Sequence, residues 1–561
     1  MNAIFILIVG LGAMALGYIF YSKFIAEKIF RLDAAFRTPA HEFEDGVDFV
    51  PTNKYVLWGH HFTSVAGAAP IIGPAIAVIW GWVPALIWVV VGTIFFAGVH
   101  DAGAIWASNR NKAKSMGALT GDVVGKRARS LFMIVIFLVL LMVNAVFATV
   151  IAGLMVDFPS AVIPVWGAIF VALIIGQLIY RKYIGLLTVS IVGVIALYAM
   201  IGLGPMMPLS FPETVGPLSD RATWIIVLFG YAAIASLLPV WMLLQPRDYI
   251  NGLQLFIGLI LIYAAVLLLG PEMVAPAFNT DLPENTPSMI PLLFVTIACG
   301  AISGFHGLVA GGTTSKQLDK ETDARFVGYF GAVGEGSLAL AAIIAATAGF
   351  ATFADWNAVY TSFGQGGVNA FVQGGAYIIH NGVGLEIGLA ETLLTVMAVL
   401  FAGTTMDTGL RLQRYIFQEW GSIYDIRWMQ KALPATLLAV STCLLLAFGA
   451  GGADGDGGLV IWPLFGTTNQ LLAGLTLMVI TVILVRKGRP MYYTLIPLLF
   501  LLVMTVAALI MQLKTFYVAG NWFLFLLDIV VLIAAIFIAF ECTATLNRLR
   551  KEKAQGGNED S

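Results

Sequence analysis

Charged residues are scarce in this chain. Only 11% of its 561 residues are Asp, Glu, Lys or Arg, whereas 59% are hydrophobic, and the mean hydropathy is +0.90. A soluble globular chain carries about 25% charged residues. So few charges cannot cover a water-facing surface, so lipid must be the solvent for most of the exterior. The formal net charge of −2 gives no sign of a nucleic-acid partner.

Cysteine is also rare. The three cysteines, Cys299, Cys443 and Cys542, lie far apart in separate apolar segments. This arrangement excludes a disulfide framework and the paired spacing of a zinc site. We therefore expect no metal site and no bound cofactor.

Long apolar runs, in contrast, fill the chain. A helix that crosses the hydrocarbon layer needs about 20 apolar residues, and fifteen segments meet this criterion. They lie near residues 2–22, 55–79, 82–103, 130–153, 160–180, 184–206, 222–244, 252–270, 290–313, 327–350, 388–410, 431–450, 459–485, 490–512 and 522–545. The first run lacks the charged region and the cleavage site of a signal peptide, so we expect a retained helix. The sequence thus predicts an all-α polytopic membrane protein.

The positions of the cations indicate the orientation. With residue 1 outside and the sides alternating, 28 of the 30 Lys and Arg residues fall in inside loops, and only Arg221 and Lys514 fall outside. Cytoplasmic loops retain Lys and Arg, so we predict an outside N-terminus and an inside C-terminus. No loop is long enough for a separate soluble domain, which argues against a receptor, a sensor with an output domain or an enzyme with a soluble catalytic module.

The second span contains helix-breaking residues. Pro70 and Pro74 each remove a backbone donor, and Gly67 and Gly73 add backbone freedom. Irregular backbone is tolerated at membrane depth only where it is packed in protein or lines a wet cavity, and transporters use such breaks as binding sites. The residues that we expect to face a substrate are Gly67, Ala68, Ala69, Pro70 and Gly73. The alternative is a proline kink in an ordinary helix.

The seventh span resembles the second in this respect. It contains Gly230 and Pro239, begins five helices later and runs in the opposite direction. This offset and polarity fit an inverted five-helix repeat whose two broken helices meet near the midplane. We therefore predict inverted repeats of spans 2–6 and 7–11, with interruptions in spans 2 and 7.

Several ionisable residues fall inside spans, where they are costly and point to function. We predict proton coupling through Glu335 in the tenth span, Asp407 in the eleventh, His306 in the ninth and His61 in the second. A carboxylate or an imidazole in a hydrated cavity exchanges protons readily when its environment changes. Helix–helix hydrogen bonding is the alternative explanation for each of them.

Other polar groups lie at the inner ends of spans. Thr313 and Thr314, together with the carbonyl of Ala66, would form a cation site if coupling used sodium, although such hydroxyls also satisfy their own helix's carbonyls. The pairs Arg247–Asp248 and His100–Asp101 are candidate cytoplasmic gates, and contact with phospholipid headgroups explains them as well.

Seven stretches resemble the carbon starvation protein A family of bacterial membrane transporters. They are Pro51-Thr-Asn-Lys-Tyr-Val-Leu-Trp-Gly-His-His-Phe, Ala66-Gly-Ala-Ala-Pro-Ile-Ile-Gly-Pro-Ala-Ile-Ala, Gly98-Val-His-Asp, Pro239-Val-Trp-Met-Leu-Leu-Gln-Pro-Arg-Asp-Tyr, Gly304-Phe-His-Gly, Gly312-Thr-Thr-Ser-Lys-Gln-Leu and Arg411-Leu-Gln-Arg-Tyr. The likeness extends over roughly residues 50–480, in the same order as in the family.

The resemblance implies uptake of peptides or pyruvate-like carboxylates across the bacterial inner membrane during carbon starvation, driven by protons. It also implies the amino acid–polyamine–organocation superfamily, whose fold packs two inverted five-helix repeats. We accordingly expect an extra N-terminal helix over 1–22, a transporter core over 50–415, C-terminal helices over 430–545 and a disordered cytoplasmic tail over 546–561.

The resulting hypothesis is a secondary active transporter, not an enzyme, that works by alternating access. Its site would lie between spans 2, 7, 9 and 11, with Gly230, Ser236 and His306 completing the substrate-binding set. Its partners would be a small-molecule substrate and the lipid bilayer. A sodium-coupled carrier of another small carboxylate or amino acid, a channel and an intramembrane enzyme are the alternatives, and the sequence leaves the oligomeric state open.

Overall fold

Helices dominate the protein, because a helix satisfies every backbone N–H and C=O within one segment and lipid offers no other partner. A computed structural model describes residues 1–46, 48–180, 186–239, 242–284, 286–452 and 457–556. The helices of the first half are α1 (Ala3–Phe30), α2 (Lys54–Ala66), α3 (Ala69–Ala77), α4 (Trp82–Asn109), α5 (Met116–Val123), α6 (Lys126–Asp157), α7 (Val162–Tyr180), α8 (Leu186–Leu203), α9 (Asp220–Leu237) and α10 (Leu244–Leu269).

The second half continues in the same way. Its helices are α11 (Met289–Thr296), α12 (Gly304–Val309, continued by helical turns to Gln317), α13 (Arg325–Ala348), α14 (Phe353–Val359), α15 (Gly367–Val383), α16 (Ile387–Ile423), α17 (Ala432–Gly451), α18 (Gly457–Arg486), α19 (Tyr492–Val518) and α20 (Trp522–Gly556). A short helix, Pro39–Glu42, lies in the first loop. The strands β1 (Thr214–Val215) and β2 (Leu218–Ser219) pair antiparallel just before α9.

The predicted spans agree closely with these helices. Within the described residues, thirteen helices are long and apolar enough to cross a membrane, and the bent pair α2–α3 brings the number to fourteen when it counts as one span. These fourteen correspond in order to fourteen of the fifteen predicted spans. The exception is the ninth, predicted as one continuous helix over 290–313. It is instead divided into α11 and α12, and neither part is long enough to span.

Loops that the sequence assigns to one side contact each other. On the predicted outer face the N-terminal amine lies 2.7 Å from Glu272 Oε2, and Trp80 Nε1 donates to the Pro287 carbonyl at 3.0 Å. On the predicted inner face Arg110 pairs with Glu321, and the Asp33 amide donates to the same carboxylate at 2.7 Å. The grouping of the loops onto two faces therefore has structural support, whereas which face is cytoplasmic stays a prediction.

The C-terminal helices do not form a separate layer. Helix α18 is largely enclosed, and it packs against α6, α12 and α19. Its Trp462 Nε1 donates to the Thr296 carbonyl at the end of α11. The bundle around the helix breaks therefore includes residues beyond the predicted core of 50–415.

Part of the tail predicted to be disordered is helical. Helix α20 continues to Gly556, so residues 546–556 are helical, and residues 557–561 lie outside the described residues. The pair Arg181–Lys182, which the sequence places in an inside loop, is also not among the described residues.

Large hydrophobic side chains such as Phe20, Leu268 and Phe540 are exposed on the outer surface of the bundle, as expected for positions that face lipid.

Candidate functional site

The predicted interruption of the second span is confirmed. Helix α2 ends at Ala66, and α3 starts at Ala69 after a bend of 49°. Gly67 has φ 52° and ψ −161°, a conformation essentially restricted to glycine. A Cβ at this position would lie 2.5 Å from Thr405 Oγ1 of α16. Both the backbone angles and the close approach of α16 therefore require glycine.

A second break divides the ninth span, which the sequence presented as continuous. Helix α11 ends at Thr296, Gly300 has a φ of 91°, and α12 begins at Gly304. Side chains from other helices satisfy the freed carbonyls. Thr93 Oγ1 donates to the Gly300 carbonyl at 3.2 Å, and Trp88 Nε1 donates to the Ile297 carbonyl at 3.2 Å.

The two breaks lie against each other. A Cβ built on Gly300 would lie 3.5 Å from Pro70 Cα, and one on Gly73 would lie 2.5 Å from the Thr296 carbonyl oxygen. Gly73, predicted to face a substrate, thus brings α3 into contact with the end of α11. The two broken segments form a crossing point in which residues 66–74 are buried.

The predicted interruption of the seventh span is wrong. Helix α9 is continuous through Gly230 and ends at Leu237, so Pro239 lies beyond its end. Gly230 is on an exposed face, where an added Cβ would meet no atom within 4 Å, and the structure does not bring it to the breaks. The broken partner of the second span is the ninth, so a repeat that starts at span 7 does not pair the two breaks.

The C-terminal end of α9 is held by two arginines of α16. Arg411 donates to the carbonyls of Ala235 at 2.7 Å and Leu238 at 2.6 Å. Arg414 donates to the carbonyl of Ser236 at 2.6 Å. These are the carbonyls that a helix end leaves unpaired, and cations there also complement the helix dipole. Ser236 thus meets Arg414 through its backbone, while its buried hydroxyl has no hydrogen-bond partner among the described residues.

Four buried ionisable side chains form a continuous series of contacts, which we call the His centre: His100, Asp101, His306 and Glu335. His100 Nδ1 lies 2.7 Å from Asp101 Oδ1, and Asp101 Oδ2 lies 2.9 Å from His306 Nδ1. His306 Nε2 lies 3.2 Å from Glu335 Oε2. Sequence analysis placed His100 and Asp101 at the inner end of the third span, but α4 continues to Asn109, and both side chains are fully buried.

His61 lies beside the His centre. Its ring packs against α13, where a Cβ on Gly331 would lie 3.0 Å from His61 Cδ2. His61 Nδ1 lies 2.9 Å from Thr314 Oγ1, and no residue that the structure describes forms a hydrogen bond with its Nε2. Thr313 instead is exposed, and its hydroxyl donates to the Val309 carbonyl of its own helix at 3.0 Å. The two hydroxyls proposed for a sodium site therefore do not converge.

The three helices that carry the His centre all contain a π-helical turn. The turns span Thr93–Ala97 in α4, Ala310–Thr314 in α12 and Arg325–Tyr329 in α13. Such turns are rare and frequently mark functional sites. Each lies within about two turns of a residue of the centre, so local helix geometry contributes to aiming these side chains at one another.

A second buried group, which we call the Arg centre, joins α9, α10 and α16. It consists of Arg247, Asp407, Tyr231 and Asp248. The Arg247 guanidinium pairs with Asp407 and donates to Tyr231 Oη at 2.8 Å, and Tyr231 donates to Asp407 Oδ2 at 2.8 Å. Arg247 Nη2 lies 3.2 Å from Asp248 Oδ1. The predicted gate pair and the predicted proton carrier Asp407 thus belong to one cluster.

The Arg centre connects to the break in the second span. Thr405, which contacts Gly67, lies next to Thr404, whose hydroxyl accepts from Asn251 Nδ2 at 3.0 Å. Helix α2 separates the two centres, with His61 facing α13 and Thr63 in contact with Gly252 of α10. Ala66 and Ala68, on either side of Gly67, are buried at the same point.

A cavity of about 90 Å³ opens between the ends of α6 and α9 on the predicted outer face. Its wall includes Asp157, Arg221 and the segment 364–369. A Cβ built on Gly367 would lie 3.8 Å from Ile76 Cγ1 of α3. The cavity therefore leads from the outer face toward the second half of the broken span.

Sequence reasoning missed the residues that shape the second break. Besides Trp88 and Thr93, Asn469 of α18 accepts from the Phe305 amide at 3.1 Å and so caps α12. The run Thr467-Thr-Asn-Gln470 is fully buried within an apolar span, and such a polar run was the available signal.

Comparison with known proteins identifies the family. A family model described as "Carbon starvation protein CstA" matches residues 2–364 and 351–508. The chain belongs to the CstA family. Both centres and both breaks lie within the matched residues.

Characterised members of the CstA family cover nearly the whole chain. The "Peptide transporter CstA" of Campylobacter jejuni is 34% identical over 93% of this chain and 81% of its own length. The "Pyruvate/proton symporter BtsT" of Escherichia coli is 30% identical over 91% of this chain and 81% of its own. The "Peptide transporter CstA" of Bacillus subtilis is 32% identical over 90% and 89%. These relatives are named as transporters and not as enzymes, which, with the membrane-capable helices, supports a multi-pass membrane transporter.

Proposed function

We propose that this protein imports small organic carboxylates, either peptides or pyruvate-like acids, across the bacterial inner membrane together with protons, by alternating access. One relative is named as a peptide transporter, and another of similar identity is named as a pyruvate/proton symporter. Both kinds of substrate carry a carboxylate, so the proposal is stated for that shared group. The single observation that carries it is the His centre beside two facing helix breaks.

The chemistry of the His centre suits proton coupling. His306 contacts a carboxylate with each ring nitrogen, but a neutral imidazole has only one N–H. Both contacts are hydrogen bonds only when the trio of Asp101, His306 and Glu335 holds an additional proton. Gain or loss of that proton therefore changes how tightly α4, α12 and α13 are held together, which is the property that a coupled transporter requires.

The helix breaks supply the moving part. Helix α3 contacts the end of α11 through Gly73 and the second break through Pro70 and Gly300, so a rocking motion requires bending only at Gly67 and Gly300. The outer cavity gives a route to α3 from one side. Sodium coupling has less support, because the Thr313 hydroxyl points away from that of Thr314.

The test is transport by purified protein in proteoliposomes. Counterflow of labelled pyruvate and of a labelled dipeptide should exceed that of protein-free vesicles, and an imposed pH gradient, acidic outside, should drive accumulation. A sodium gradient without a pH gradient should not. Accumulation driven by sodium alone would replace proton with sodium coupling, and flux without counterflow would identify a channel and overturn the proposal.

A further inference from the structure

We propose that Arg247 binds the carboxylate of the substrate, and that Asp407 occupies this position until it is protonated and the substrate replaces it. This inference rests on the proposed function and assigns the substrate-recognition residue within it. Arg247 and Asp407 are 2% and 1% exposed, respectively, so the pair is enclosed by protein.

A buried guanidinium needs an anion next to it. Removing one partner of a buried ion pair leaves an uncompensated charge, which is strongly unfavourable. Asp248 stays 3.2 Å from Arg247 Nη2, but release of Asp407 leaves Nη1 of the guanidinium without an anion. A substrate carboxylate therefore takes that position as Asp407 takes up a proton. One carboxylate and one proton enter together, and the net charge of the Arg centre is unchanged.

The geometry of Arg247 fits a carboxylate ligand. A guanidinium binds a carboxylate through two parallel hydrogen bonds. Arg247 lies in the first turn of α10, where the free N–H groups of the helix also favour an anion. Within the described part of the chain, neither Arg247 Nε nor Asp407 Oδ1 has a hydrogen-bond partner. The pair thus offers one donor nitrogen and one acceptor oxygen to a ligand at the same place.

A polar stripe continues along α10 from Arg247. Asn251 and Gln254 follow at helical spacing, so all three share one face. Gln254 is fully buried, yet among the residues that the structure describes neither of its side-chain amide atoms has a hydrogen-bond partner, and Asn251 Oδ1 has none either. Seven residues of helix rise about 10 Å, enough for a molecule the size of pyruvate or a dipeptide. Gln254 Nε2 would donate to a keto or peptide oxygen of the substrate, and Asn251 Oδ1 would accept from a peptide N–H.

A small apolar cavity adjoins the guanidinium. It has a volume of about 30 Å³, the space of one water molecule, and its wall includes Tyr231, Arg247, Trp166, Leu228 and Gly403. A Cβ at Gly403 would meet no atom within 4 Å. The cavity therefore suits a small apolar substituent next to the carboxylate, such as a methyl group, and Gly403 sets its size.

The charged and titratable groups around Asp407 define its pH response. They are Arg247 and Asp248 from α10, Tyr231 from α9 and Arg411 from α16 itself. Protonation of Asp407 frees Arg247, so substrate binding should tighten as the pH falls. With asparagine in place of Asp407, no carboxylate at this position competes with the substrate for Arg247 at any pH.

The test uses the full-length protein in proteoliposomes and compares carboxylates with their amides. Pyruvate and pyruvamide, or a dipeptide and its C-terminal amide, compete with the labelled substrate in counterflow. The wild type should prefer the carboxylate about tenfold. The double variant R247Q/D407N removes the ion pair and leaves Asp248 as the remaining carboxylate of the Arg centre, so its melting curve is compared with that of the wild type. The double variant should lose the preference.

Three further readouts separate recognition from a structural role. D407N should bind the substrate carboxylate with an affinity, measured by competition, that no longer changes between acidic and neutral pH. Gly403→Val should weaken binding of substrates with bulky substituents more than that of pyruvate. Melting curves check the folding of each variant.

Two results would overturn the inference, and they are distinguishable. If the wild type transports but the folded double variant keeps its preference for the carboxylate, Arg247 is not the recognition residue and the proposed function still stands. If the wild type shows no counterflow with either substrate, the proposed function fails and the inference fails with it.

Discussion

His306 and Glu335 face each other between α12 and α13, with His306 Nε2 3.2 Å from Glu335 Oε2. The other ring nitrogen of His306 lies 2.9 Å from Asp101 Oδ2 of α4. One imidazole therefore links the three helices α4, α12 and α13. Helix α12 begins directly after the second break, and α4 contacts that break through Thr93. Movement of α12 relative to either neighbour requires that one of these contacts opens.

The first prediction concerns this link. Glu335→Gln keeps the size of the side chain but removes the carboxylate that we propose takes part in proton coupling. Accumulation driven by a pH gradient should fall about tenfold, since coupling free energies of about 1–3 kcal/mol correspond to factors of this size. Counterflow without a gradient should persist, because the helix breaks are unchanged.

Glu391→Gln is the matched control, because Glu391 is another carboxylate on a spanning helix, α16. It should leave gradient-driven accumulation intact. If Glu335→Gln accumulated substrate as well as the control does, the His centre would have no part in coupling.

The second prediction concerns the break at Gly67. Gly67→Ala should destabilise the protein by about 1–3 kcal/mol, the cost of holding a non-glycine residue in this backbone region, and it also brings a methyl group against Thr405. A second change, Thr405→Ala, should recover only part of this loss. Melting curves in detergent measure both effects.

The control for Gly67 lies on the same helix. Gly59 is in the middle of α2, and a Cβ there meets no atom within 4 Å. Gly59→Ala should therefore stabilise, because alanine is preferred over glycine in a helix by about 0.5–1 kcal/mol. Shifts of the same sign for the two variants would show that backbone strain at Gly67 is unimportant.

Local signals explain which break could be predicted. Gly67 and Pro70 stand together in the second span, and each disfavours a continuous helix through its own covalent structure. Residues 297–303 contain no proline, and their single glycine, Gly300, is a weak signal. That break depends on Thr93, Trp88 and Asn469 from distant segments, which no local pattern reports.

The candidate site shows the same difference between features with a local sequence signal and features that depend on distant residues. Glu335, His306, His61 and Asp407 were predicted individually, because an ionisable residue inside an apolar run is conspicuous. Their partners were not, because pairing depends on how the helices pack. The pair His100–Asp101 was assigned to the membrane interface, since a polar sequence follows it, whereas packing against α12 and α13 keeps α4 helical and buried to Asn109.

The third prediction concerns the end of α9. Arg411→Ala removes two charge-assisted hydrogen bonds to the carbonyls of Ala235 and Leu238, each worth about 1.5–3 kcal/mol. The free energy of unfolding should fall by about 3 kcal/mol. Arg127→Ala, at an exposed position in α6, should change it little. Equal effects of the two changes would contradict a capping role.

The fourth prediction concerns pH and the start of α16. The Gly388 and Leu389 amides donate to Glu386 at 3.0 and 2.7 Å and lower the pKa of this exposed carboxyl. A lowered pKa in the folded state means that the stabilisation is present above the ordinary carboxyl pKa of about 4.3 and is lost as the pH falls through the folded value. Glu386→Gln should therefore melt below the wild type at pH 7, and the gap should close in acid. A gap that widened in acid would reverse this assignment.

The fifth prediction concerns Cys299, which lies in the second break. It is 7% exposed, and its sulfur is 3.4 Å from Asn469 Nδ2. With Cys443 and Cys542 replaced by alanine, a membrane-permeant maleimide should label Cys299 slowly at rest. Labelling should accelerate when substrate and a pH gradient are present, because turnover separates the two breaks and exposes the thiol.

A variant that retains only Cys443 provides the comparison. Cys443 is buried in α17 against Gln413 Oε1, away from both breaks, and turnover should not change its labelling. Acceleration at both thiols would indicate general loosening of the bundle. No acceleration at Cys299, in a preparation that transports, would show that the contact between Gly300 and Pro70 stays closed throughout the cycle, and the moving part would then have to lie elsewhere in the bundle.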